Sequence, residues 1–322
     1  MYTSDSPSPS SPGWPQPNTG QPAIQSRVLL TNLVALNLTA SPGGWLNPPN
    51  LLTGAYNTTG NNVDAHTDLD DDNMADTPRP SSTDDPPVFD FSFGPLGDDT
   101  QDLLLQQPVT YTNASVVNLF YLNNYMHDRL YELGFTEAAG NFQNNNFGRG
   151  GLGNDAVQAD GLDGALLNDP YHRNNANFYP PPDGIPGRMQ MYVFNGPIPN
   201  RDGSLDAEIV CHEYTHGLTD RLVGGGVGIT ALQTAGMGEG WSDFYPLCLL
   251  SEATDDPHAT YAVGGFATYL FYDLTENYYF GVRRYPYATD LQKNPLTFKD
   301  IDPTQADEHF GIAYSPLFDP PN

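Results

Sequence analysis

The stretch Ile209–Asp220, IVCHEYTHGLTD, constrains this chain more than any other, because it asks for a helix and loads that helix with chemistry. His212 and His216 stand four residues apart, and on a 3.6-residue helix positions i and i+4 lie one turn apart on the same face. Two imidazole nitrogens are thereby aimed at one zinc ion. Glu213 projects beside them, where its carboxylate can take a proton from a zinc-activated water. A helix is expected here without the histidines as well. Val210, Tyr214, Leu218 and Leu222 make an apolar stripe, Ser204 or Asp206 suits the N-terminal cap, and Gly224–Gly226 suits the end.

A catalytic zinc takes a third protein ligand and keeps a fourth position open. Glu239, in AGMGEGWSD (Ala235–Asp243), is the candidate, and Asp243 follows one turn later on the same face. Asp243 is placed to accept a proton from the other ring nitrogen of a liganding histidine, which fixes its tautomer. Gly238 and Gly240 are expected to let two backbones approach closely around Glu239. The plain alternative is a helix that carries these residues as surface charges; the downstream carboxylate pair argues against it.

Composition excludes several classes. The 322 residues carry 39 acidic and only 12 basic side chains, a net charge of −27, and both nucleic acid and anionic membranes select for basic surface. Neither partner is expected, nor does any apolar run approach the ~20 residues of a membrane span. Cys211 and Cys248 make no disulfide framework; they read as two buried small hydrophobes, with a bridge between packed helices left open.

Along the chain, residues 1–27 are Ser/Pro/Gly-rich, with no leader-like apolar run, and read as a linker; the linker or propeptide remnant is drawn over 1–35 and the catalytic domain over 36–322. Val28–Leu38 is a candidate strand, and residues 40–112 promise short strands and long loops. Within them Asp68, Asp70, Asp72 and Asp76 alternate around a turn that could hold calcium or be a solvated acidic loop. Asn113–Gly134 predicts a helix from Val116, Phe120, Tyr121, Met126 and Leu130; its His127 lacks an i+4 partner and is expected to be structural. Gly140–Asp169 reads as loop, Arg188–Phe194 as one strand and Tyr261–Phe280 as helical in its middle. Pro246 is expected to kink or end the second site helix beyond Glu239.

HEYTHGLTDRL followed by GMGEGWSDF resembles the fungalysin family of secreted zinc metalloendopeptidases, relatives of the thermolysin-like enzymes. The similarity extends through Ala40–Trp45, Gly140–Asp155, Asn174–Phe194 and Arg283–Ile301, from about residue 36 to the end. It implies an α+β protein of two lobes: a strand- and loop-rich N-terminal lobe, a central H-E-x-x-H helix and a helical C-terminal lobe. It implies zinc on His212, His216 and Glu239, with Glu213 as catalytic base, and Asn175 and Ala176 on an edge strand beside the substrate backbone. It further implies an extracellular monomer acting on proteins or peptides, restrained in its precursor by its own propeptide. The family's later transition-state histidine segment does not occur here. His309 is the candidate substitute, and an incomplete C-terminal lobe with exposed apolar faces is expected. The competing readings are a zinc-binding but inactive peptide-binding module or fragment, and a structural domain with an accidental motif.

Overall fold

Three long helices and a four-stranded sheet carry the architecture of the computed structural model, which describes residues 1–2, 17, 21–31, 33–167, 169–274, 276–302, 304–305 and 309–318. Strands β1 (Val63–Thr67), β2 (Val157–Gly161), β3 (Ala176–Tyr179) and β4 (Arg188–Met191) lie in the order β1-β2-β4-β3. The first three in that order run parallel, with Ala65 opposite Ala159 and Ala159 opposite Met189. β3 is antiparallel to β4 at the edge, with Phe178 opposite Met189. Val63, Ala65, Val157, Ala159, Met189 and Met191 are all fully buried. Helix α1 (Thr112–Glu132) covers the sheet through β1 and β2 and packs on α2 (Ala207–Leu222), which in turn packs on α3 (Leu232–Leu249). Among the described residues no helix is long and apolar enough to cross a membrane.

The helix expected over Asn113–Gly134 is present as α1, and Gly134 follows it at φ 105°, a left-handed value that favours glycine. Its position between sheet and α2 buries polar residues along with the apolar stripe, and Asn118, Asn124 and Asp128 among them are hydrogen-bonded. His127 is locked between Asp128 (3.0 Å) and Gln143 (3.0 Å), as a structural histidine should be.

Asp128 explains one departure from the sequence reading. Its carboxylate accepts the backbone N–H groups of Leu36 and Asn37 at 3.1 Å, the Ser41 hydroxyl at 2.6 Å and the Trp45 indole N–H at 2.9 Å. Val28–Leu38 forms no strand among the described residues, and at its end the buried Asp128 takes the N–H groups of Leu36 and Asn37 that a ladder would use. Gly140–Asp169, read as loop, contains the central strand β2, held by parallel partners on both sides. Arg188–Phe194 splits, β4 ending at Met191 while Val193–Phe194 pairs with Arg201–Asp202. Tyr261–Phe280 breaks into short helices at Gly265–Thr268 and Asn277–Phe280. Most of the expected linker falls on residues 3–16 and 18–20, outside the described set, yet Tyr2 is buried against Phe93 and its N–H reaches Asn118 Oδ1 at 2.9 Å.

Three further expectations change. Cys211 is buried, but Cys248 is exposed, and both are free thiols. Of the two outcomes expected at Pro246, an end of the helix is excluded, since α3 runs through it to Leu249. Gly240 would tolerate a Cβ with nothing within 4 Å, and one at Gly238 would meet only the Ile229 side chain at 3.2 Å, so neither glycine makes room for a second backbone. Met237, Trp241 and Phe244, one face of α3, are exposed.

At the rim of the sheet, His66 is buried between Asp160 (2.9 Å from Nε2, misaligned for a hydrogen bond and so an ion pair) and Asp64 (3.2 Å from Nδ1). Burial opposes its charge, but the two carboxylates outweigh burial and push it up to about 9. A folded pKa above the ordinary value of 6.5 gives stability that is complete below that value and is lost as pH rises through about 9. Thermal melts between about pH 6 and pH 10 are expected to show a loss on the order of 3 kcal/mol that His66→Gln lacks. Parallel pH profiles for the two proteins would refute the assignment.

Candidate active site

Helix α2 begins where Asp206 caps it, accepting the Ile209 N–H at 3.3 Å on one oxygen and the Ala267 N–H at 2.9 Å on the other. Val210, Tyr214 and Leu218 of the expected stripe are buried, whereas Leu222 at the helix end is exposed. Gly217 serves a different purpose: a Cβ there would lie 2.6 Å from the Phe178 ring, so glycine lets edge strand β3 pack directly on the histidine helix. Phe142, Phe178 and Tyr214 fill that contact, with ring centroids 5.3 and 5.8 Å from Phe142. In the last turn, Arg221 anchors α2 to four backbone or side-chain acceptors, including Asp155 at 2.8 Å.

The one-turn spacing brings His212 Nε2 and His216 Nε2 to 3.0 Å of each other. Helix α3 supplies Glu239, whose Oε2 is 3.4 Å from His212 Nε2 and whose Oε1 is 3.4 Å from His216 Nε2. Three ligand atoms thus converge on one point from two helices. Asp243 stands on the other side of the first histidine and accepts a hydrogen bond from His212 Nδ1 at 2.7 Å, leaving Nε2 to face the cluster.

The electrostatics separate the two imidazoles. Burial opposes a charge on His212, but Asp243 and Glu239 push it up to about 9. Burial and the neighbouring His212 cation push His216 down to about 4, which holds it neutral, the form in which imidazole ligates a metal. Glu239 is drawn down to about 2, chiefly by its hydrogen bond to His212. Asp243 also falls to about 2, because His212 and Arg283 overcome its burial. Glu213 is buried, and burial with the Glu239 charge raises it to about 7 although His212 pulls the other way. Two imidazoles and one carboxylate sharing a focus, with a poised carboxyl alongside, suit a zinc ion by donor type and number.

Sequence reasoning missed two residues. Arg283 donates to Glu239 Oε2 at 3.0 Å and to both Asp243 oxygens at 2.8 and 2.5 Å, and the Tyr287 hydroxyl donates to Asp243 Oδ2 at 2.5 Å. They hold both α3 carboxylates in place. They lie 40 or more positions from Asp243 in the chain, so no local spacing marks them. His309, the candidate substitute, is bound instead to Asp300 at 2.5 Å and is not part of the cluster.

Ala176 opens the edge strand β3 and is buried, while Asn175 immediately before it is exposed. One side of β3 is paired with β4 and the other carries no sheet partner among the described residues, the arrangement from which an extended peptide can add a strand. In the acidic turn, Asp68, Asp70 and Asp72 come together, but Asp76 turns away to accept the Leu69 N–H at 2.8 Å.

A helix-borne pair of imidazoles joined by a carboxylate is one of the ligand sets by which hydrolases hold a single catalytic zinc. The sequence profile of the fungalysin metallopeptidases (M36) matches residues 16–314, and the chain belongs to that family. It is similar to an extracellular metalloproteinase of Pyrenophora tritici-repentis, 42% identical over 269 residues that cover 82% of this chain and 37% of the relative. It also resembles the extracellular metalloproteinase mep of Aspergillus fumigatus, 45% identical over 213 residues, 65% of this chain and 31% of that one. Extracellular metalloproteinase 10 of Coccidioides posadasii is 47% identical over 201 residues, 62% of this chain and 30% of the relative. The chain spans about a third of the length of the curated relatives it matches.

Proposed function

We propose that this chain carries the zinc centre of a secreted metalloendopeptidase with a thermolysin-like two-lobe arrangement, in which α2 lies between the sheet-bearing half and the half built on α3. The observation that carries the reading is the convergence of His212, His216 and Glu239, with Asp243 fixing the His212 tautomer. Held by those three side chains, zinc supplies the Lewis acidity that polarises a peptide carbonyl and acidifies a water. Glu213 takes the proton of that water and hands it to the departing amine. Asp243 keeps the His212 imidazole oriented, and Arg283 holds Glu239 and Asp243 in place. The free edge of β3, at Asn175 and Ala176, offers backbone groups to an extended substrate.

Support for an extracellular setting comes from the names of the relatives, and for protein or peptide substrates from the family. The proposal extends to a monomer whose precursor is restrained by its own propeptide, with residues 1–35 as linker and 36–322 as the catalytic part. Elemental analysis after dialysis against a weak chelator tests it. About one zinc per chain is expected in the parent and little in His216→Ala, both with unchanged circular dichroism. A well-folded parent without zinc would sink the proposal.

A further inference from the structure

Strands β1 and β2 are adjacent and parallel, so the residues that follow them emerge side by side at one end of the sheet. Asp68 follows β1 directly, and Asp163 lies two residues past β2. Asp71 completes a group with them: one ligand oxygen from each lies within 4.8 Å of the others. Oxygen ligands of one calcium ion, each at about 2.3–2.6 Å from it, fit within that span.

The group is acidic, and that alone would signify nothing. The deciding feature is Asp163. Its side chain is 0% exposed, one oxygen accepts the Gln190 side-chain N–H, and the other, Oδ1, has no donor among the described residues. Asp68 is equally buried; its two oxygens accept the N–H groups of Asp72 (3.0 Å) and Asn73 (2.7 Å). Nearby Asp160 is neutralised by Arg188 and His66. Among the described residues no lysine or arginine pairs with Asp68, Asp71 or Asp163, and the His172 imidazole lies 3.1 Å from Asp71. Burial and the Asp160, Asp68 and Asp71 charges accordingly push Asp163 up to about 7. Two buried carboxylates without a cation are costly, and one of two things relieves them: a proton on Asp163, or a metal ion.

We propose that Asp68, Asp71 and Asp163 bind a divalent cation of the calcium class, away from the zinc centre and distinct from the exposed Asp70 and Asp72 of the same turn. The donor set is all carboxylate oxygen, which selects a hard cation over zinc. The ion would join the turn after β1 to the loop after β2. That loop is already gathered by Arg173, which donates to the carbonyls of Gly164, Ala165 and Leu167, and it leads straight into edge strand β3. Calcium would therefore set the stability of the segment that feeds the proposed substrate edge.

The test uses the zinc-loaded chain in calcium-stripped buffer near pH 7.5, titrated with calcium chloride and followed by calorimetry and thermal melting. About one calcium per chain is expected, with Tm rising by about 5 °C at a hundredfold excess over Kd. Asp163→Asn should abolish the rise, and Asp71→Asn, on a partly exposed side chain, should weaken binding at least tenfold. The double change Asp70→Ser with Asp72→Ser should leave both intact, and His216→Ala should lose zinc yet keep the calcium response. An unchanged Tm up to about 5 mM calcium, beyond the weakest range of extracellular calcium modules, overturns the proposal and leaves Asp163 a protonated carboxyl. So does a response that survives Asp71→Asn, or one removed by the Asp70 and Asp72 changes, which would put the ion in the exposed turn. If Asp163→Asn does not fold, the Asp71→Asn result decides.

Discussion

Glu213→Gln should keep its zinc and lose peptide hydrolysis by at least about 10²-fold, the contribution of a positioned general base. The side chain is nearly isosteric, and the Glu213 carboxyl is already pushed up to about 7 by burial, so a neutral amide in its place sits close to the protonated form the pocket tolerates. Folding and metal content should both survive, which isolates the proton transfer. The measurement is zinc per chain beside hydrolysis of a denatured protein substrate, made on the full-length protein because this chain covers 37% of the first relative named above. Hydrolysis that persists in the variant would remove Glu213 from the mechanism. Loss of zinc along with activity would mean that Glu213 supports the metal as well.

Arg221→Met should cost about 3–5 kcal/mol of folding stability, the usual penalty for leaving a buried charge without its partner. Arg221 and Asp155 are both fully buried, 2.8 Å apart, and the rest of the guanidinium donates to the carbonyls of Pro181, Gly140 and Ile185. The planar fork reaches these acceptors at once, so Arg221→Lys, which retains the charge but not the fork, should fall between parent and Met. Urea unfolding with a matched slope measures the difference. A midpoint unchanged in Arg221→Met would show that Asp155 is satisfied without it. Because Arg221 closes the last turn of α2, the same variant should also loosen the loops at residues 140 and 181 that pack beside the histidine helix.

The site was legible in the sequence to the extent that it is local. The spacing of His212 and His216 on a helix with a buried stripe leaves little freedom, because a turn of helix sets the distance between the imidazoles. Glu239 and Asp243 were legible for the same reason, one turn apart on a second helix. Arg283 and Tyr287 were not, since their role depends on a distant segment folding back onto α3. The acidic turn shows both sides of this. Alternation suggested Asp70, Asp72 and Asp76 around Asp68, but strand pairing carries Asp163 to Asp68 from 95 positions away, and only β1–β2 register makes them neighbours.

By itself, then, the sequence determined the two site helices, the side-chain types they bring together and the acidic charge, all of which follow from spacing and composition over a few turns. Tertiary structure alone decided that Val157–Gly161 is a central strand, that the described residues of Val28–Leu38 form none, and that Cys248 faces solvent. A short polar strand is stable only between partners, an extended segment gives up its ladder when a buried carboxylate such as Asp128 claims its N–H groups, and the exposure of one helical position depends on what packs there.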